Sequence, residues 1–314
     1  MKRYSSDWYW FYVINYSLVI IIIFPIYWTF ISSIKKPAEL ITSDPTFFPR
    51  SATSEYYDRI LNYGIRDSIL VNNDDKDLKN NPDEEGVTVD RNYQYADKGN
   101  IKRAFINSSI VSAGTILFTI VVCTLGGYAL TVLKTPFKNI LFLLIILPIL
   151  IPGISLIIPL YKLMRELGLT DSHLGLIFLH TTGMLPLGIF MMKNAFGSIP
   201  ISLREVAMLE GSSELRIIIS VMLPLAVPGL LTVMVFAMYV SWNDYLLAFL
   251  FINSPENIML NIALQKIALG GSQFEMKWGD LTAGSVVSFI PIIIIYAFLQ
   301  KYFVRGVTGS AVKE

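Results

Sequence analysis

Few residues able to do chemistry lie inside the apolar stretches of this sequence. Asp244 is the one ionisable side chain well within such a stretch, in the run Ser241-Trp242-Asn243-Asp244-Tyr245. An acid at the centre of a membrane-inserted helix costs about 2.5–3.5 kcal/mol, so it calls for a partner or a polar path. Two readings of the run stay open. It is an aromatic belt with polar neighbours at the membrane surface, or Trp242, Asn243, Asp244 and Tyr245 line a substrate path, where rings stack on sugar faces and polar groups bond hydroxyls. His173 and His180 read as structural or interfacial residues, with a ligand or proton-relay role as the alternative. Cys123 stands alone, so no intrachain disulfide can form, and no metal-ligand set is apparent. There is no P-loop, no H-E-x-x-H and no G-x-S-x-G elbow, so no catalytic residue and no resident cofactor are expected. Proton-coupled carriers place several acids or bases within the membrane, and this chain does not.

The elements that carry these residues follow from composition. Hydrophobic residues make up 54% of the 314-residue chain and charged residues 16%, with a mean hydropathy of +0.55. Soluble domains carry about 25% charge. A helix crosses the roughly 30 Å hydrocarbon core in about 20 residues. Stretches of that length occur at 10–31, 105–133, 140–160, 174–192, 221–252 and 281–303. The fold class expected is therefore an all-α integral membrane protein with six transmembrane helices. A barrel would instead show alternating segments of about ten residues. Prolines interrupt five of the six stretches, at Pro25, at Pro148, Pro152 and Pro159, at Pro186, at Pro224 and Pro228, and at Pro291, so kinks are expected. The stretch after Lys2 and Arg3 is too long for a secretory signal and reads as an uncleaved first span.

Lys and Arg in the short loops set the orientation. With the N-terminus inside, the inner loops hold ten of them and the outer loops four: Lys162, Arg165, Lys266 and Lys277. Both termini are thus expected to be cytoplasmic. The division expected is a first span over 1–31, an extracytoplasmic loop over 32–103, a five-helix core over 104–303 and a cytoplasmic tail over 304–314. The middle of the long loop, 72–90, is acidic and poor in large apolar residues. It reads as a solvated insertion, with a docking surface as the alternative; its acids lack the ligand spacing of a calcium loop. A net charge of +1 gives no broad surface for nucleic acid.

The cytoplasmic loop 193–220 is the most informative segment. Ser202 with Glu205 has the spacing of a capping box, which predicts a helix from Leu203. Gly211 then supplies a left-handed position that ends it, and Ser212 is placed to cap the next helix. Leu203, Val206, Met208 and Leu209 do not gather on one stripe, so a short helix that is apolar nearly all round should be covered by a partner. The alternative is an ordinary loop packed on its own helix ends.

Glu205-Val206-Ala207, three residues, Gly211, nine residues and Val221-Met222-Leu223-Pro224 resemble the E-A-A…G…I-x-L-P signature of binding-protein-dependent ABC importer permeases. Val206 and Val221 are the departures. Lys36-Pro37-Ala38-Glu39-Leu40, Phe105-Ile106-Asn107-Ser108-Ser109, Ser241-Trp242-Asn243-Asp244-Tyr245 and the tail Gly306-Val307-Thr308-Gly309-Ser310-Ala311-Val312-Lys313 resemble the maltose-type carbohydrate branch. The resemblance implies a type I ABC importer permease fold in the cytoplasmic (inner) membrane of a prokaryote. It implies a second homologous permease, a dimer of ABC ATPases that bind the ATP, an extracytoplasmic solute-binding protein and a sugar as substrate. Ser202, Glu205, Val206, Ala207, Met208, Leu209, Gly211, Leu223 and Pro224 would couple to an ATPase, and Thr308, Gly309 and Ser310 would touch it from the tail. A gradient-driven secondary transporter, or an ABC permease for a non-sugar solute, is the rival reading.

Overall fold

The computed structural model describes residues 4–42, 44–61, 101–269 and 277–311, so the acidic stretch 72–90 lies outside the described residues. In chain order the first helices are α1 (Tyr4–Ser32), α2 (Pro37–Leu40), α3 (Glu55–Leu61), α4 (Ile101–Thr131), α5 (Lys138–Ile146) and α6 (Ile157–Glu166). They are followed by α7 (His173–Gly197), α8 (Ser202–Leu209), α9 (Glu214–Ile217) and α10 (Leu223–Leu225). The last are α11 (Val227–Trp242), α12 (Leu246–Phe251), α13 (Leu260–Leu269) and α14 (Trp278–Ala311). Among the described residues four helices are long and apolar enough to cross a membrane, or six spans if each of two bent pairs counts as one.

The bends correct two of the expected spans. The stretch 140–160 is not one straight helix: α5 runs on as a 3-10 turn to Leu150 and breaks at Ile151 and Pro152. The chain resumes at Gly153 at an angle of 96°. Pro148 and Pro152 each remove a backbone donor, and Ile151, forced out of the helical region by the proline after it, is extended at φ −89° and ψ 122°. The stretch 221–252 is likewise divided. Residues Glu214–Leu225 lie at 85° to α11, with Ala226 at the corner between Pro224 and Pro228. A second break at 243–245 separates α11 from α12. Pro25, Pro186 and Pro291, in contrast, stay inside continuous helices.

The described chain divides into two units, residues 1–102 with 263–292 and residues 103–262 with 293–314. In the first, the motif after α1 builds a corner. Lys35 is buried, bonds the Thr46 carbonyl and lies 4.4 Å from the centre of the Trp28 ring. The Glu39 carboxylate accepts the backbone N–H groups of Arg50 and Ser51 at 3.0 and 3.3 Å. Lys36-Pro37-Ala38-Glu39 is therefore a fold motif in this chain. Asp280, wholly buried in the first turn of α14, pairs with Arg59 of α3 at 3.3 Å. It was passed over in the sequence because it lies just before the expected sixth span, and its partner is far away in the chain.

The second unit holds α4, α7 and α11 together. A Cβ on Gly127 of α4 would lie 2.6 Å from the Met192 Cβ and 2.9 Å from the Lys193 nitrogen of α7, so the approach requires glycine. Ser112 of α4 and Ser241 of α11 share a hydrogen bond at 3.1 Å. Near the ends of these helices, Cys123, Tyr128, Met192, Phe196, Ile217, Met222 and Val233 form a core from which solvent is excluded.

Candidate functional site

The loop 193–220 folds into a short helix and an elbow, but not by the expected cap. Helix α8 begins at Ser202 with Ile201 in the capping position and no side-chain cap bond, so Ser202 and Glu205 form no capping box. The chain arriving through Pro200 places Ile201 already in the helical region, at φ −63° and ψ −25°, which closes the first turn through backbone bonds alone. The end of α8 follows expectation. Gly211 has φ +81°, its N–H bonds the Met208 carbonyl at 3.0 Å, and the Ser212 N–H bonds the Ala207 carbonyl at 3.0 Å. These two bonds make the Schellman ending. The next helix, α9, is preceded by Ser213 rather than Ser212, again without a side-chain cap.

Around this helix Ala207 faces in, Arg204 is partly buried against Glu214, and the other residues face out. Ala207 is buried in the core, whereas Leu203, Val206, Met208 and Leu209 are exposed, Leu209 to 89%. Apolar side chains held out on a rigid, closed turn make a docking surface. Leu223 and Pro224 stand at the far end of the segment, after a π-helical stretch at Ile218–Met222, next to the 85° corner. Beside that corner opens a groove of about 340 Å³, lined by Met191, Asn194, Ser198, Leu225, Pro228 and Thr232 among others. Its three polar side chains are able to bond hydroxyl groups.

The run Ser241–Tyr245 is placed differently. Trp242 is 4% exposed and packs edge-on against Phe105, ring centres 5.6 Å apart. Asp244 closes α12: its Oδ1 accepts the Leu247 N–H at 3.1 Å and its Oδ2 the Ala248 N–H at 2.8 Å. The Asn261 side chain donates to the carbonyls of Trp242 and Asp244, both at 3.0 Å. Only Asn243 of the four candidates is fully exposed, and Tyr245 is half-buried. The run thus builds the break after α11, with Trp242 and Asp244 both engaged in contacts within the chain. Thr308, Gly309 and Ser310 lie in the last turns of α14.

Several partners are not legible in the sequence, most of them because they lie far apart in the chain. His180 is buried, with its Nε2 3.7 Å from Asp244 Oδ2, and its Nδ1 lacks a hydrogen-bond partner among the described residues. The Tyr128 hydroxyl of α4 donates to Glu214 at 2.7 Å, and Arg204 of α8 pairs with the same carboxylate. Asp171, at φ +56°, clasps the segment after α12. Its carboxylate accepts the N–H groups of Asn253 and Ser254 at 2.9 and 3.0 Å, and its own N–H donates to Phe251 at 2.8 Å. Burial works to raise the Asp171 pKa, but the N–H groups of Ser254 and Asn253 outweigh it and hold the carboxyl below its ordinary value.

Residues 123–309 match the model of a family described as "Binding-protein-dependent transport system inner membrane component". The chain is 30% identical over 295 residues to the inner membrane ABC transporter permease protein YcjP of Escherichia coli, covering 94% of this chain and 92% of that one. It is 35% identical over 228 residues to the trehalose transport system permease protein SugB of Mycobacterium tuberculosis, covering 72% and 82%. Its fold is similar to that of a chain in a bacterial ABC transporter involved in the import of the acidic polysaccharide alginate. The TM-score there is 0.73 at 22% identity, over 96% of this chain and all of that one.

Proposed function

Since the chain belongs to the family of binding-protein-dependent inner membrane transport components, we propose that its helix α8 is the element through which ATPase subunits drive it. The protein is the membrane-spanning permease subunit of an ABC importer for carbohydrate; it is a transport subunit and not an enzyme. The observation that carries the coupling role is the exposure of Leu203, Val206, Met208 and Leu209 around a helix that Ala207 roots in the core. Such a helix receives force at its apolar surface and passes it inward through the packed root. The loop then faces the cytoplasm, as the Lys and Arg asymmetry requires, and the membrane is the inner membrane of a prokaryote. ATP binds to the partner subunits, a second related permease completes the path, and an extracytoplasmic binding protein delivers the sugar.

In this arrangement the substrate meets Asn243 first, because it is the one exposed residue of the four, and Trp242 last, because it is buried. The ends Thr308, Gly309 and Ser310 would add a second contact with the ATPase. The test is purification with the ATPase and the second permease, followed by uptake of a trehalose-class sugar into proteoliposomes. Uptake should need ATP and the binding protein. Accumulation driven by a proton or sodium gradient without ATP would overturn the reading.

A further inference from the structure

A helix that ends in a glycine elbow is free to swing unless something more directional than apolar packing fixes it. Here that fixture is the Glu214 carboxylate, at the start of α9. One oxygen accepts the hydroxyl of Tyr128 at 2.7 Å, and Arg204 of α8 bonds the other, with a longer contact at 3.4 Å from its Nε to the first. Hydrogen bonds to an ionised group are about twice as strong as neutral ones and hold direction as well as distance. The pairing also raises the Arg204 pKa, chiefly through its hydrogen bond to Glu214. Tyr128 is 1% exposed and lies in α4, and its ring stands edge-on to Phe196 near the end of α7, at 5.6 Å and 85°. The carboxylate is one rigid plane, so displacement of Arg204 pulls on the Tyr128 hydroxyl. From there the load passes to α4 and, through Phe196, to α7.

We propose that Tyr128, Glu214 and Arg204 are positioning residues for transport: they tie α8 to α4, so that a displacement of α8 reaches the spans and is not taken up at Gly211. The inference rests on the proposed coupling role of α8 and adds the residues that carry the motion onward. The experiment uses the full complex in proteoliposomes and reads two quantities, the ATPase retained on purification and the sugar taken up per ATP hydrolysed. Tyr128→Phe should retain the ATPase at the wild-type level and lower uptake per ATP about tenfold, the worth of a hydrogen bond to a charged group. Glu214→Gln keeps an acceptor for the tyrosine and loses the charge facing Arg204, so its ratio should fall between those of the wild type and Tyr128→Phe. A merely structural role would reduce the yield of complex and leave the ratio in surviving complexes unchanged. That result, or an unchanged ratio at full yield, overturns the inference. If the wild-type chain itself retains no ATPase, the proposed function fails and the inference with it. If the wild type and Tyr128→Phe couple equally well, only the inference fails.

Discussion

The two ends of α11 are built in opposite ways. At the corner near Ala226 the chain arrives from α8 with Leu203, Val206, Met208 and Leu209 uncovered and no side-chain cap on α8 or α9. At the break after Trp242 the chain makes contacts with itself: Asp244 caps α12, Asn261 binds two carbonyls, and Trp242 packs on Phe105, with Asn243 alone exposed among residues 242–245. The first region leaves its apolar side chains uncovered, while backbone bonds close its elbow and the Arg204–Glu214–Tyr128 bonds join α8 to α9 and α4. The second makes its own contacts with side chains. Substitutions should therefore disturb partner binding in the first region and folding in the second.

The largest effect is expected in the second region. Trp242→Ala removes a buried indole and should destabilise the chain by about 3–5 kcal/mol, read as a lowered thermal midpoint in detergent and a loss of assembled complex. Asn243→Ala, one residue away and exposed, should leave assembly intact and lower uptake alone. Equal stability of the two variants would show that the break does not depend on its buried side chain. Next comes Gly211→Val. No atom lies within 4 Å of the added Cβ, so the cost is the left-handed backbone at φ +81°, about 1–2 kcal/mol and confined to the elbow. The variant should insert and fold, yet lose most of its bound ATPase. Wild-type retention would remove the main support for α8 as the coupling element.

Legibility divides along the same line. The elbow could be read because it is local: Gly211, its distance from Ala207 and the apolar residues between lie within a few positions of one another. The break at 243–245 could not, because Asn261 and Phe105 complete it and neither is near in sequence. A polar, aromatic run in an apolar stretch has the same composition whether it lines a path or closes a helix. The six spans were visible as apolar length. The bends of 96° and 85° were foreshadowed only as prolines, and proline identity does not separate Pro186, which α7 absorbs, from Pro152, which ends a segment. The capping box failed for a related reason: spacing alone cannot tell that Ile201 is already helical.

Two smaller effects refine the comparison. The carboxyl of Asp171 is held below its ordinary value by the N–H groups of Ser254 and Asn253, so its contribution is full above the unfolded value of about 3.9. It is lost as pH falls through the lower folded value. Thermal midpoints measured from pH 7 downward should fall more steeply for the wild type than for Asp171→Asn, and parallel curves would show that the clasp adds nothing. Smallest is Glu205→Ala. Because Glu205 is exposed and makes no capping bond, stability should change by no more than about 0.5 kcal/mol. A larger fall in melting temperature would mean that the capping box forms in the assembled protein.

One feature of α8 bears on exchange between transport systems. On the proposed coupling role, Ala207 and Arg204 face the permease and the four apolar side chains face its motor, so the helix separates what the one needs from what the other recognises. Replacing Leu203, Val206, Met208 and Leu209 with the residues of another permease would alter which ATPase is accepted without touching the core. Position 207 would keep its small side chain through every such exchange. Compatibility between a permease and a foreign motor would then be written in four neighbouring side chains, a small enough set to be re-specified by design.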